Sequence, residues 1–316
     1  MRAVLVVNPK ATTTSERSRD VLVRALRSEV DLSVRYTRRR GHAAMLAREA
    51  ADEGVDLVVT LGGDGTVNEV VNGLMSARLP SVPTGVSPAE RLPALATVPG
   101  GSTNVFARAL GLPREWPEGA SMILEGLRLG RHRTIGLGRA DDRYFTFCAG
   151  FGLDAAVIHR VERARRRGRV STPALYFRST VAQYFLGSDR RRPAIALERP
   201  GDATEEQLAT VVIQNTAPWT YVGDREVNPN PEASFDLGLD VFALRQLRVA
   251  STTRTVSQFF SHQPDPHGRQ VLRLHDMTEF TLVANRPQAL QLDGEYLGER
   301  EKVRFSSAPA ALRVIC

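Results

Sequence analysis

Lysine is nearly missing from this 316-residue chain: of its 42 basic residues, only Lys10 and Lys302 are lysines. No Gly-Lys-Ser or Gly-Lys-Thr tripeptide occurs, which excludes a Walker-type phosphate loop, and a Schiff-base lysine would have two candidates. Cysteine is equally scarce. Cys148 and Cys316 lie far apart in apolar surroundings, so neither a disulfide framework nor a cysteine metal site is expected, and a reducing cytoplasm is the default. No stretch approaches the run of about 18 apolar residues that a spanning helix needs, and Met1–Asn8 is too short for a signal peptide. The six histidines are scattered without a pair at i, i+4 and read as surface or packing residues. There is no internal repeat.

What is present is ordinary in amount and uneven in place. The length suits two domains of about 150 residues, and 42% hydrophobic with 24% charged residues excludes disordered, collagen-like and coiled-coil classes. The net charge of +7 is concentrated. Between Arg163 and Arg192 nine arginines face one carboxylate, Asp189, while the rest of the chain is close to neutral. A nucleic-acid partner is not expected, because that reading prefers a broader basic surface and an aromatic stacking platform.

Through residue 130, buried apolar runs alternate with helical spacing. Strands are predicted at Ala3–Val7, Leu32–Thr37, Asp56–Leu61 and Leu95–Val98, with helices at Ser15–Ser28, His42–Glu53, Thr66–Ala77 and Ser102–Leu110. This implies an N-terminal doubly wound α/β domain with a parallel sheet. Pro80–Arg91 reads as an exposed loop. From 131 to 316 short strands separated by turns predict an antiparallel β-sandwich domain, the last residues free to pack back on the first domain. Its strands include Glu279–Ala284, Ala289–Leu292 and Lys302–Phe305, and its helices are Asp154–Arg167, Pro173–Leu186 and Ala250–Ser261.

The strongest local signal is Leu61-Gly62-Gly63-Asp64-Gly65-Thr66-Val67-Asn68-Glu69, a buried strand running through a glycine turn into a helix. Open α/β sheets bind ligands at this edge, and a helix N-terminus favours phosphate. Thr66 and Glu69 equally fit a capping box. Asp64, a carboxylate among phosphate-binding amides, has a reason to be there if it coordinates Mg²⁺. A second loop, Pro99-Gly100-Gly101-Ser102-Thr103-Asn104, repeats the arrangement; taken alone, Ser102 to Asn104 is a helix N-cap. Two such loops at successive strand ends are better explained by a nucleotide cleft.

Together these stretches resemble the diacylglycerol kinase catalytic-domain family of soluble bacterial lipid kinases, related to sphingosine kinases. Gly62 to Leu74 matches that family's signature, Asn8-Pro9 its first strand end, and Pro99 to Arg108 its second loop, with Ser102 and Val105 in place of the usual Thr and Asp. The resemblance implies a fold like NAD kinases and diacylglycerol kinases. It places ATP at Asn8, Pro9, Thr37, Gly62, Gly63, Asp64, Gly65, Thr66, Asn68, Glu69, Gly101, Ser102, Thr103 and Asn104, in a cleft between the domains. Gly150-Phe151-Gly152-Leu153-Asp154-Ala155 is similar to an element whose Asp faces the cleft, although Asp154 is equally a helix N-cap. Asp236-Leu237-Gly238-Leu239-Asp240 resembles a structural Mg²⁺ element, implying ligation at Asp236 and Gly238, with Leu237 where the family has glycine. Asp293-Gly294 reads as a hairpin turn; the resemblance makes Glu295 the general base, with Asp64 and Asp154 completing a carboxylate–water–Mg²⁺ network.

The expectation is a cytoplasmic lipid kinase, peripheral at the inner face of the membrane, that phosphorylates diacylglycerol with ATP and Mg²⁺. A homodimer is left open. Arg163–Arg192 would meet an anionic membrane, against the plainer reading of a solvated helix end. Trp219 and Tyr221 either line the acceptor cleft or simply pack. The rivals are an NAD kinase, which shares the glycine loop, and a catalytically idle lipid-binding module.

Overall fold

The computed structural model describes residues 1–10, 16–77, 88–167, 173–184 and 192–316. The chain divides into two compact units, Met1–Leu137 with Pro309–Cys316, and Gly138–Ala308.

The first unit holds β1 (Arg2–Val7), α1 (Glu16–Arg27), β2 (Asp31–Tyr36), α2 (His42–Asp52), β3 (Leu57–Gly62), α3 (Asp64–Met75), α4 (Pro88–Arg91), β4 (Ala94–Pro99), α5 (Val105–Ala109) and α6 (Trp116–Leu129). Its strands lie in the order β2-β1-β3-β4, all parallel. The chain's last strand adds to the open edge, Val314 pairing in parallel with Leu95. Leu5, Val7, Val59, Leu61, Ala96 and Val98 form one core with Leu22 and Leu26 of α1 and Ile123 of α6. Strand side chains alternate in direction, so buried Val4, Val6 and Val58 face the other way, where α2 lies against β1 and α3 against β3. Both faces are covered, and β3 and β4 are buried along their whole length. Within that second layer α2 and α3 pack backbone to backbone, because a Cβ on Gly73 would stand 2.2 Å from the Ala44 carbonyl oxygen.

Two details differ from the pattern-based expectation. Residues 80–87 of the predicted Pro80–Arg91 loop lie outside the described residues, and Pro88–Arg91 is α4. Helix α6 was not anticipated. It begins at Trp116-Pro117, where proline's fixed φ suits the first helical turn, and ends on left-handed Gly130.

The second unit continues with β5 (Arg133–Ala140, begun in the first unit), β6 (Arg143–Phe145), β7 (Cys148–Gly152), α7 (Leu153–Arg166), α8 (Pro173–Ala182), β8 (Ile195–Glu198), β9 (Glu205–Leu208) and β10 (Thr210–Gln214). There follow β11 (Thr220–Val222), β12 (Arg225–Val227), β13 (Leu239–Leu244), α9 (Val249–Gln258), β14 (Val271–Met277), β15 (Glu279–Leu292) and β16 (Glu295–Val314). The strand pairs along its main path are antiparallel, in the order β14-β13-β10-β7-β15-β16. The predicted fragments Glu279–Ala284 and Ala289–Leu292 are one strand, and Lys302–Phe305 is the middle of another. A register shift between Val283 and Gln288 lets β15 change partner, Thr281–Ala284 pairing with β8 and Leu290–Leu292 with β7. Bulges of this kind bend a strand and bring sheet faces together. The core enclosed is aromatic at its centre, with Phe280 stacked on Phe305 at 5.3 Å and Phe145 edge-on at 6.4 Å. Across the sheet a second cluster joins Val212, Phe242 and Leu244 to Tyr184 and Phe259, with Trp219 packed on it. Trp219 is thus a packing residue. The expected class, parallel α/β followed by antiparallel β, holds. Among the described residues no helix is long and apolar enough to cross a membrane.

Candidate active site

Gly62 ends β3, and Asn8, Thr37 and Gly100 follow the C-terminal ends of β1, β2 and β4, so all four share one edge of the parallel sheet. The two glycine loops touch there without side chains between them. The Gly100 N–H donates to the Gly62 carbonyl at 2.9 Å, and a Cβ on Gly101 would lie 2.6 Å from the Gly63 Cα. Asn8 ties the first strand in: its N–H donates to the Leu61 carbonyl, and its side-chain amide to Thr66 Oγ1 at 3.2 Å. Thr37 donates its N–H to the Val7 carbonyl. The first N–H groups of α3 have no acceptor within their own helix, and the helix dipole points its positive end at the same edge.

The capping expectations need correcting. The N-cap of α3 is Gly63, without a side-chain cap, so Thr66 and Glu69 form no capping box. Glu69 instead accepts from the Gly41 and Ala43 N–H groups at 2.7 and 3.0 Å, holding the start of α2. Buried Asn68 sits one residue earlier in α3 and is bonded by Asn72. Ser102 and Thr103 do not cap α5 either. Its N-cap is Asn104, in the left-handed region, and Asn104 closes its own loop by exchanging hydrogen bonds with Gly101. The cap of α5 comes from the other loop: Asp64 accepts from Val105 N–H and Phe106 N–H, both at 3.0 Å. Asp64 therefore has a structural reason to stand among amides, since a carboxylate answers the orphan donors of a helix start.

The Asp236–Asp240 segment is tied in by hydrogen bonds. Asp236 is exposed and its N–H turns to Ser234, while Gly238 donates its N–H to Asp276 at 2.6 Å. The buried carboxylate is Asp240, which His275 Nδ1 contacts at 2.9 Å and Asp276 N–H at 3.0 Å. That contact raises the His275 pKa, chiefly through the hydrogen bond. Among the described residues no group of three or more His, Cys, Asp or Glu is arranged to hold a metal ion.

In the second unit the chemistry gathers at the β15–β16 hairpin. Asp293 and Gly294 form a two-residue turn with φ of 47° and 77°, as the sequence indicated, between paired Leu292 and Glu295. Asp293 is buried and accepts from the Thr146, Phe147 and Cys148 N–H groups and the Thr146 hydroxyl, all within 3.1 Å. Beside it, Asp154 in the first turn of α7 accepts from Gln291 Nε2 at 2.8 Å. Burial pushes its carboxyl from 3.8 up to about 6, against the lowering effect of that bond. Gly150 makes the room, since a Cβ there would stand 1.9 Å from an Asp154 oxygen. Glu295 is held by Arg143 at 2.9 Å. Gln291 and Tyr296 pair on one face of the hairpin and Leu292 and Glu295 on the other, so Asp154 and Glu295 are held on opposite faces of it.

Arg143 and Gln291 escaped the sequence reading. Neither belongs to a motif, and their partners lie 152 and 137 positions away. Of the arginine-rich window, residues 168–172 and 185–191, with the side chains of Arg165, Arg166 and Phe177, lie outside the described residues.

Residues 2–140 match the diacylglycerol kinase catalytic domain. A diacylglycerol kinase of Bacillus subtilis (strain 168) is 35% identical over 94% of this chain and 90% of its own length. The chain belongs to the diacylglycerol kinase family. A second relative, named as a YegS-like lipid kinase of Stenotrophomonas maltophilia, is 29% identical over 98% of this chain and 94% of its own length. A crystal structure of a diacylglycerol kinase from Bacillus anthracis shares the fold, with a TM-score of 0.71 at 19% identity, covering 99% of this chain and 96% of that one. The family's glycine signature is thus the loop that Asp64 locks to α5, and its Asp-Gly-Glu is the tip of the β15–β16 hairpin.

Proposed function

We propose that the protein is an ATP-dependent lipid kinase that transfers the γ-phosphoryl group to a lipid hydroxyl, with diacylglycerol as acceptor and phosphatidic acid as product. The observation that carries this reading is the pair of glycine loops at successive strand ends, packed backbone to backbone, in a chain 35% identical to a diacylglycerol kinase. Loop amides at Gly63–Gly65 and at Ser102 and Thr103 would cradle the phosphates, with Asn8 and Thr37 flanking them. Mg²⁺ entering with ATP would offset phosphate charge; it takes most of its ligands from phosphates and water, and Asp64 would be its protein contact. Glu295, fixed by Arg143, would take the acceptor's proton. Asp154, with its raised pKa, would hold or pass a proton near neutrality. The second unit would bind the lipid from the inner face of the membrane, Arg163–Arg192 meeting anionic headgroups.

Incubation with labelled ATP, Mg²⁺ and a total lipid extract tests this: labelled phosphatidic acid is expected. Transfer to NAD but to no lipid would replace the reading with an NAD kinase, and transfer to neither would leave a lipid-binding module.

A further inference from the structure

Gln291 of β15 lies between Asp154 and the turn of the β15–β16 hairpin. It stands directly opposite Gly150 of β7 and is 2% exposed. Its Oε1 accepts from the Gly294 N–H at 2.8 Å, and its Nε2 donates to Asp154 Oδ2 at 2.8 Å. A backbone N–H can only donate, so the turn decides which way the amide lies. The reversed amide would set NH₂ against the Gly294 N–H and a carbonyl against the carboxylate, repelling at both ends. Gly150 leaves the space for this link: a Cβ there would stand 1.9 Å from Asp154 Oδ2 and 2.9 Å from Gln291 Nε2.

Nε2 offers hydrogens and no lone pair, so Oδ2 has to accept, and a proton on that oxygen would cost the bond. Asp154 is half-buried; with Oδ2 enclosed by Gln291 and the Gly150 backbone, Oδ1 is the oxygen left to exchange a proton. The titratable groups around the link have other partners. Asp293 in the turn is taken up by three backbone N–H groups, and Cys148 Sγ lies 3.7 Å from the same Nε2. On the hairpin face towards α7, Tyr296 packs edge-on against His159 at 4.0 Å, and Glu162 accepts from the Tyr296 N–H. None of these sets the Asp154 pKa, whose causes are burial and the Gln291 bond.

We propose that Gln291 is a positioning residue for the phosphoryl transfer: it confines a proton on Asp154 to Oδ1 and locks that carboxyl to the turn that carries Glu295. Without the donor either oxygen would take the proton and the carboxyl could rotate, so the geometry that turnover needs becomes one state among several. The part in turnover rests on the kinase reading; the link itself does not.

The test follows Asp154 by carbon NMR of the full chain labelled at aspartate Cγ, without ATP, lipid or divalent cations, its signal identified by its loss in Asp154→Asn. Gln291→Met keeps the length of the side chain and removes both polar ends. The Asp154 midpoint should then rise by at least about one pH unit, because a hydrogen bond to a charged group is lost. Gln291→Glu still accepts from Gly294 but sets a second carboxylate against Oδ2, so two coupled steps should replace one; it carries the test should Gln291→Met fail to fold. Gln288→Met, the same change in the same strand where the amide donates to the Arg286 and Pro287 carbonyls, should leave the midpoint in place. With ATP and micellar diacylglycerol, Gln291→Met should lower kcat about tenfold or more with KM for ATP unaltered, and a limb of the kcat–pH profile should move as the NMR midpoint does. An unmoved midpoint in Gln291→Met, or equal movement in Gln288→Met, would overturn the link. A moved midpoint with unaltered kcat would make Gln291 a structural residue and end the proposal. If the parent phosphorylates no lipid while the midpoint moves as expected, the kinase reading falls and the link stands.

Discussion

Replacing Asp154 by Asn should make the protein more stable at neutral pH and inactive. The carboxyl titrates at 3.8 when free and at about 6 when folded, a difference of about 2 units, each worth about 1.4 kcal/mol. A raised carboxyl pKa means that the folded state binds the proton more tightly, so between about pH 4 and 6 stability falls as pH rises. Above that window the full penalty, about 3 kcal/mol, is present; below it there is none. Asn carries no charge at any pH, and its oxygen can still accept from Gln291 Nε2, so Asp154→Asn removes the penalty and keeps the bond. The chain has two tryptophans, Trp116 and Trp219, so in a Trp116→Phe background Trp219 reports on the second unit alone. Denaturant titrations without divalent cations, from pH 4 to 8, should show a variant-minus-parent difference near zero at pH 4 that rises to about 3 kcal/mol by pH 7. A difference independent of pH, or a variant less stable at pH 7 than its parent, would refute the claim that this carboxylate is ionised at a cost. Gain of stability with loss of turnover is the pattern of a residue kept for chemistry.

Other positions give sharper single outcomes. Gly101→Ala would force a Cβ to within 2.6 Å of the Gly63 Cα; the loops must separate, raising KM for ATP and costing about 1–3 kcal/mol, and an unchanged KM would show that the loops do not bind nucleotide. Asp293→Asn replaces one accepting oxygen by a donor that opposes buried N–H groups, and should cost about 2–4 kcal/mol in chemical denaturation; a loss under about 0.5 kcal/mol would contradict its role as the turn's anchor. Glu295→Gln should lower kcat by about 10²–10⁴ with KM for ATP unaltered, and near-normal kinetics would remove Glu295 as the base.

The parallel half was legible because burial on both faces writes each strand as a nearly continuous apolar run, as in Leu57–Leu61, where Thr60 alone is polar. What was lost depended on residues read as breakers. Pro117 looks like a stop and is the first turn of α6. Asn285-Arg286-Pro287 looks like a turn between two strands and is the bulge within β15 where the strand changes partner. A periodicity argument sees the interruption but not the strand on the other side that carries it through.

The same limit sorts the carboxylates. In sequence Asp64, Glu69, Asp293 and Glu295 look alike, each an acid in a glycine-bearing motif. Folding separates them by partner. Glu69 holds α2, Asp64 holds α5 from 41 positions away, and Asp293 holds three amides and a hydroxyl 145 to 147 positions away. Each answers backbone donors at a helix start or a turn, so three of these acids have structural work whatever the enzyme does. Glu295 and Asp154 differ. Their partners in these contacts are side chains, Arg143 and Gln291, rather than helix starts or turns, and Asp154 is held where ionisation is disfavoured. A fold gains nothing from desolvating a carboxylate when asparagine would serve the same hydrogen bond. Burial at a cost without a structural return is the physical reason to look for proton chemistry at Asp154, and to read the acids that hold helix starts and turns as the frame around it.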